Sequence, residues 1–334
     1  MVRRGDGRMR VTVTIPMLNG SEYLPGCLSN LSSQSYRDFE ILFVVDHRST
    51  KDTISAIDSY SKEMDNVRFI IQNDDLGLAG ARNIGIDEAR GDIIWFLDVD
   101  DHPYPSFLEE MVRILDDNDA DIVFCNHFEH RKRIVPEIPD YDYKVRKIDH
   151  DYALAHFMEL PIYSWSRIQK KSIFKDGTAR FIHRPAAEDI EQTIRSIFVS
   201  DRIYYYEKPL YVYYKTNNTA VKRNRDKEIE SLEETARSLV SLIGDSDVYP
   251  YNEFRKQVTE RVMRQSAFSK YRLFSKSYRI SYAHTLLEGM PDKTREMRVY
   301  ELSKLLYYLA IYPYTHFIWD SKEGMWDRID VKRT

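Results

Sequence analysis

The run Ile93-Ile94-Trp95-Phe96-Leu97, closed by Asp98-Val99-Asp100-Asp101, constrains this chain more than any other segment. Five consecutive apolar residues lack the alternation of a strand with one wet face. The run therefore reads as a strand covered on both sides, the setting of a parallel sheet. Three carboxylates follow within four residues. Asp98 and Asp100, two apart, can both sit at the strand's carboxyl end, where open α/β sheets bind ligands. Clustered carboxylates repel one another, and a hard divalent cation carrying phosphate is their natural occupant. A solvated acidic turn is the plain alternative, and the run alone does not decide between the two.

The residues before it extend the same pattern. Residues 11–15 are β-branched and end at Pro16, and Ser21 is placed to cap a helix running to about residue 33. Residues 39–45 form a second strand ending at Asp46; Ile54, Ile57, Tyr60 and Met64 then recur at helical spacing. A third strand is expected over 67–71 and a helix over 78–90. After the acidic strand, Phe107, Leu108, Met111, Val112 and Leu115 mark one helix face, and 121–125 reads as a fifth strand. Strands alternating with helices imply βαβ units, an α/β fold and a mostly parallel sheet flanked by helices. The strand ends carry Asp46, Asp74-Asp75 and Asp98, so polar groups converge on one sheet edge.

Beyond residue 130 the pattern loosens into a charged, proline-containing loop; residues 203–214 look like strand material broken at Pro209. From residue 226 the chain reads helical. This divides it into a domain over 1–225 and a helical C-terminal extension over 226–334, which suits a length of 334 residues. A net charge of −4 argues against a nucleic-acid partner. Cys27 and Cys125 lie in apolar contexts without metal-ligand spacing, which favours buried thiols, a reducing compartment and a cytoplasmic location. The segment VTVTIPMLNG is too short and polar for a signal-peptide core, and no apolar window is long enough for a membrane span.

Five segments in order carry a resemblance: VTVTIPMLNGSEYLPGCLSNLSSQSYRDFEILFVVD, GLAGARNIGIDEARGDIIWFLDVDD, WSRIQKKSIF, AAEDIEQT and KPLYVYY. Together they resemble the family 2 glycosyltransferases of the GT-A fold, over roughly residues 10–222. The resemblance implies inverting transfer of a sugar from a nucleotide donor. It assigns Asp100 as a metal ligand and Asp98 to the metal or the donor ribose, with Mn2+ or Mg2+ as cofactor. Asp46 would pair with the donor base, favouring a UDP-sugar, although His47 and Arg48 stand where the family usually has Asp and Gly. Pro16 and Glu22 would line the nucleotide pocket, Arg82 would lie near the phosphates or the acidic cluster, and Asp75 falls where Asn is frequent. Glu188-Asp189 matches the family's Glu-Asp pair, whose Asp is the general base. Trp165 resembles an aromatic near the acceptor, and His183, six residues before Asp189, is a further acceptor-side candidate.

The acceptor implied is a saccharide or lipid-linked saccharide of cell-surface polymer synthesis. Residues 305–319 (LLYYLAIYPYTHFIW) read first as a segment docked on the protein's own core, with peripheral contact at a membrane's inner face as the sharper alternative. His127-Phe128-Glu129-His130 and Arg131-Lys132-Arg133 are set aside as a solvated loop and an exposed basic run. Two rival functions stand beside the transferase: a phosphohydrolase with Asp98 as nucleophile, and a non-catalytic nucleotide-sugar-binding protein. The acidic strand is the fourth of its domain rather than the first, which disfavours the hydrolase.

Overall fold

The computed structural model describes residues 9–73, 75–184 and 188–215, with residues 231, 234, 235, 238, 239, 241, 242 and 254. All belong to the first of two compact units, residues 1–258. The expected boundary at 225 and the aromatic segment 305–319 lie outside the described residues.

The elements follow in the expected alternation: β1 (Val11–Met17), α1 (Leu24–Ser32), β2 (Phe39–Asp46), α2 (Lys51–Glu63), β3 (Val67–Gln72), α3 (Gly77–Glu88) and β4 (Ile93–Phe96). Next come β5 (His102–Pro103), α4 (Phe107–Asp117), β6 (Ile122–His130), β7 (Val145–Ile148) and α5 (His150–Ala155). The last are β8 (Arg167–Lys170), α6 (Glu188–Phe198) and β9 (Ile203–Tyr214). The strands form one sheet in the order β3-β2-β1-β4-β8-β6-β9-β5, with β7 added on β9. β3, β2, β1 and β4 are parallel, as is the long β6–β9 pair. Short antiparallel pairings join β8 to β4 and β6, β5 to β9, and β7 to β9.

Burial explains the assignment. β1, β2 and β4 are buried at every position, as their apolar runs require. α4 buries Phe107, Leu108, Met111, Val112 and Leu115, and Phe107 stacks on Trp95 at 4.2 Å. Each such side chain contributes about 1.5–3 kcal/mol on burial. α3 lies so close to β1 that a Cβ on Gly85 would stand 2.1 Å from Thr14 Cγ2.

Three local expectations are corrected. β1 does not stop at Pro16 but runs to Met17. Pro16 has the same strand parity as Thr14, whose carbonyl accepts from Leu97 of the β4 side, and that ladder ends at Thr14. The missing N–H therefore costs no ladder bond. Ser21 is not a helix cap: a 3-10 turn, Ser21–Tyr23, leads into α1, entered through left-handed Asn19 (φ 62°) and Gly20 (φ 88°). Pro209 does not break β9, because β9 bulges there: extra β9 residues on either side of Pro209 shift the register against β6, and Pro209 itself pairs with Asn126.

The described residues between 231 and 242 are helical, in keeping with the sequence reading there. They dock on α6: Ser238 donates to Glu191 at 2.6 Å, and Arg184 donates to both Glu191 and Glu234.

Candidate active site

The parallel strands deliver their polar ends to one edge. At the end of β4 the chain turns, with the Asp101 N–H donating to the Asp98 carbonyl at 3.2 Å. Asp101 is buried and accepts from the Tyr211 hydroxyl and the Tyr214 N–H, both at 2.9 Å. It therefore anchors the acidic turn to β9. Asp98 and Asp100 are left partly exposed, and both face burial without full compensation. Burial pushes Asp98 up to about 6, helped by Asp189 and Asp100 and opposed by Arg82. Asp100 is also raised by burial, with Arg133 pulling it back.

Arg82 gathers the distant carboxylates. It points from α3 into the protein, only 1% exposed, so it is no surface salt bridge. Its guanidinium donates to Asp189 Oδ1 at 2.5 Å and to Glu188 Oε1 at 3.2 Å, and lies 3.6 Å from Asp98 Oδ1. Burial works against its charge, but Asp189, Asp98 and Glu188 outweigh that and hold it above its ordinary value. Glu188 is raised by burial and by Asp189. Ser164 also donates to Asp189 Oδ1. No hydrogen bond among the described residues reaches Asp189 Oδ2.

A second cluster forms at the end of β2. Asp46, 6% exposed, accepts from the Arg48 N–H at 2.9 Å and Nε at 2.8 Å on Oδ1, and from the guanidinium terminus at 2.7 Å on Oδ2. The Arg48 hydrogen bond holds Asp46 below the usual carboxylate range. Exposed Asp75 lies 3.5 Å from Arg48 and 3.8 Å from His47. The loops beyond β1 and β2 are tied together: Asn19 donates to Ser49 Oγ, and Thr50 donates to Asn19 Oδ1. Pro16 is buried in β1 beside this edge, and Glu22 is exposed in the 3-10 turn.

The acceptor-side candidates lie in different settings. Trp165 is only 2% exposed, stacked against Tyr211 at 4.3 Å and Tyr163 at 4.7 Å, and packs as a core ring. His183 donates through Nδ1 to the Leu76 carbonyl at 2.7 Å, and no hydrogen bond ties it to the Arg82 cluster. Two residues escaped the sequence reading. Ser164 lies immediately before WSRIQKKSIF and carries no signal of its own. Arg133, set aside in a basic run, rests over the Tyr23 and Tyr214 rings at 4.7 and 5.2 Å, near enough to act on Asp100.

The family model described as glycosyl transferase family 2 matches residues 12–191. The chain belongs to that family. EpsH and EpsJ of Bacillus subtilis, named as glycosyltransferases, are each 28% identical, over 66% and 63% of this chain. The matches take in 65% and 62% of those proteins, so this glycosyltransferase family member spans a little under two thirds of their length. Staphylococcus aureus TarS 1–349, solved with UDP-GlcNAc, superposes with a TM-score of 0.66 at 18% identity, covering 85% of this chain and 82% of that one. A mannosyltransferase from Pyrobaculum calidifontis, solved with GDP-Man and Mn2+, gives 0.54 at 16%, over 94% of this chain and 88% of that one. These likenesses establish the fold as GT-A. Membership in the family leaves the phosphohydrolase alternative without support.

A divalent cation fits the donor set of this family member. Asp98 and Asp100 are hard oxygen donors whose raised values show negative charge short of a counterion. Among the described residues no three His, Cys, Asp or Glu side chains form a ready cage. Two carboxylates, with substrate phosphate and water completing the sphere, is the usual pattern for Mg2+, and Mn2+ prefers the same ligands. No helix among the described residues is long and apolar enough to cross a membrane.

Proposed function

We propose that this chain is an inverting, metal-dependent glycosyltransferase that moves a sugar from a UDP-sugar to a hydroxyl of a saccharide or lipid-linked saccharide acceptor. The observation that carries the reading is the Arg82 guanidinium, bonded to Asp189 and Glu188 and 3.6 Å from Asp98. Donor-side and acceptor-side carboxylates thus flank one buried cation. TarS solved with UDP-GlcNAc supports the uridine donor, and the neighbour solved with GDP-Man and Mn2+ supports the metal.

In this reading Asp46 and the loops beyond β1 and β2 hold the nucleotide, with Pro16 and Glu22 lining the pocket. Asp98 and Asp100 would hold Mn2+ or Mg2+, which supplies charge neutralisation for the departing diphosphate. Ser164 and Arg82 fix Asp189 through Oδ1, leaving Oδ2 to take the acceptor proton. The acceptor oxygen bonds to the anomeric carbon on the face opposite the leaving group. The bond from that carbon to the diphosphate breaks, UDP departs with its electron pair, and the proton passes to Asp189. Attack from the opposite face inverts the anomeric configuration. In this reading the site faces the cytoplasm.

A panel of nucleotide sugars incubated with the chain and Mn2+ tests the reading. Release of UDP from one uridine donor, abolished by chelation, is the expected result. Intact donors throughout would refute it and leave a non-catalytic binder; release that ignores chelation would refute the metal's part in it.

A further inference from the structure

The family pattern puts Asp and Gly after the base-pairing aspartate, but here His47 and Arg48 follow it. Arg48 folds back on Asp46 and takes three of its acceptor sites: two on Oδ1, from N–H and Nε, and one on Oδ2. A carboxylate offers about four lone-pair sites, so one remains, on Oδ2. His47 Nδ1 lies 3.6 Å from Oδ1, too far for a hydrogen bond, and no hydrogen bond from His47 to Asp46 Oδ2 is present among the described residues. The Arg48 fork spends two of its five N–H groups on Asp46. The rest make no hydrogen bond among the described residues, and the side chain is about half exposed at 49%.

The pair thus presents one acceptor site beside several free donors. A uracil edge carries a single N–H between two carbonyls and matches that pattern: the N–H meets Asp46 Oδ2, and a flanking carbonyl meets Arg48. A guanine edge carries two adjacent N–H groups, which a carboxylate binds with both oxygens. Arg48 has already filled Oδ1, so the second guanine N–H would be desolvated without a partner. Resting on the donor site proposed above, we propose that Arg48 is a specificity-determining residue that reads a pyrimidine carbonyl and, by saturating Asp46 Oδ1, disfavours a guanine nucleotide.

Titration calorimetry of UDP and of GDP, each with Mn2+, tests this on the full chain and on Arg48→Ala and Arg48→Lys. The wild type should favour UDP by about tenfold or more, the scale of one charge-assisted hydrogen bond. Both variants should bind UDP roughly tenfold more weakly and GDP more tightly, since the freed Asp46 Oδ1 can accept the second guanine N–H, so that the preference collapses. Lysine keeps the charge but cannot form the fork, so its failure to restore the preference separates fork from charge. An unchanged UDP-to-GDP ratio in Arg48→Ala, tighter UDP binding there, or full rescue by lysine overturns the proposal. Failure of the wild type to bind either nucleotide overturns the donor reading beneath it as well. Arg48 is outside the core, so melting curves of the variants should match the wild type.

Discussion

Replacing Arg82 by Met removes the cation that holds three carboxylates together and keeps most of the side-chain volume. Arg82 is 1% exposed and stands 2.5, 3.2 and 3.6 Å from Asp189, Glu188 and Asp98. Two unit charges 4 Å apart interact by ~4 kcal/mol at an effective dielectric near 20. Removing one partner of a buried pair costs roughly 3–5 kcal/mol. At about 2–4 °C per kcal/mol for a unit of this size, the melting temperature should fall by roughly 6–20 °C at pH 8. The sign of the pH dependence follows from Asp98 and Glu188, both raised by burial even with Arg82 present. A carboxyl raised above its unfolded value, near 4, penalises the fold where it is ionised, and the penalty fades as pH falls towards the unfolded value. Without Arg82 both groups rise further, so the gap between variant and wild type should narrow from pH 8 to pH 5. Melting curves across that range measure it. A deficit that is negligible, or equal at both pH values, would show that Arg82 does not bind these acids as described.

Asp189→Asn should keep UDP affinity within a few-fold but lose on the order of 10²–10⁴ in sugar transfer, since only the proton acceptor is removed; single-turnover assays on the accepted donor check this. Asp98, raised to about 6, must be ionised to hold a cation, so donor turnover should be level above about pH 7, halve near 6 and fall roughly tenfold per unit below about 6. A rate independent of pH between 5 and 7 would remove Asp98 from that task. Gly85→Ala places a Cβ 2.1 Å from Thr14 Cγ2 and should destabilise the unit by about 1–3 kcal/mol in denaturant melts, the usual cost of overpacking.

The sequence carried the parallel half of the sheet well, because its strands are continuous apolar runs and its helices show regular periodicity. β8 was harder to see. RIQK has no apolar run, yet Arg167 and Gln169 are fully buried, since Arg167 finds Gln192 on α6 and the Tyr163 carbonyl. A strand stabilised by side-chain partners far along the chain leaves no local pattern. Pro209 misled for a related reason: β9 bulges around it against β6, and that register shift is set by the pairing with a distant strand rather than by local sequence. At the site, Asp98 and Asp100 were legible because they follow a buried strand, and Arg82 only through the family resemblance. The Arg48 fork was not, because it depends on a side-chain rotamer. Trp165 matched a family position in sequence, but its stacking partner Tyr211 comes from distant β9 and Tyr163 folds back on it from two residues before.

Manganese-dependent binding of UDP, compared between the wild type and Asp100→Asn by calorimetry, tests the gathering of cation and diphosphate at the end of β4 most directly. The account predicts UDP binding that needs Mn2+ and is lost on chelation, and a variant that binds at least about tenfold more weakly, as loss of one metal ligand requires. Equal UDP affinity in wild type and variant, or affinity indifferent to Mn2+, would contradict it.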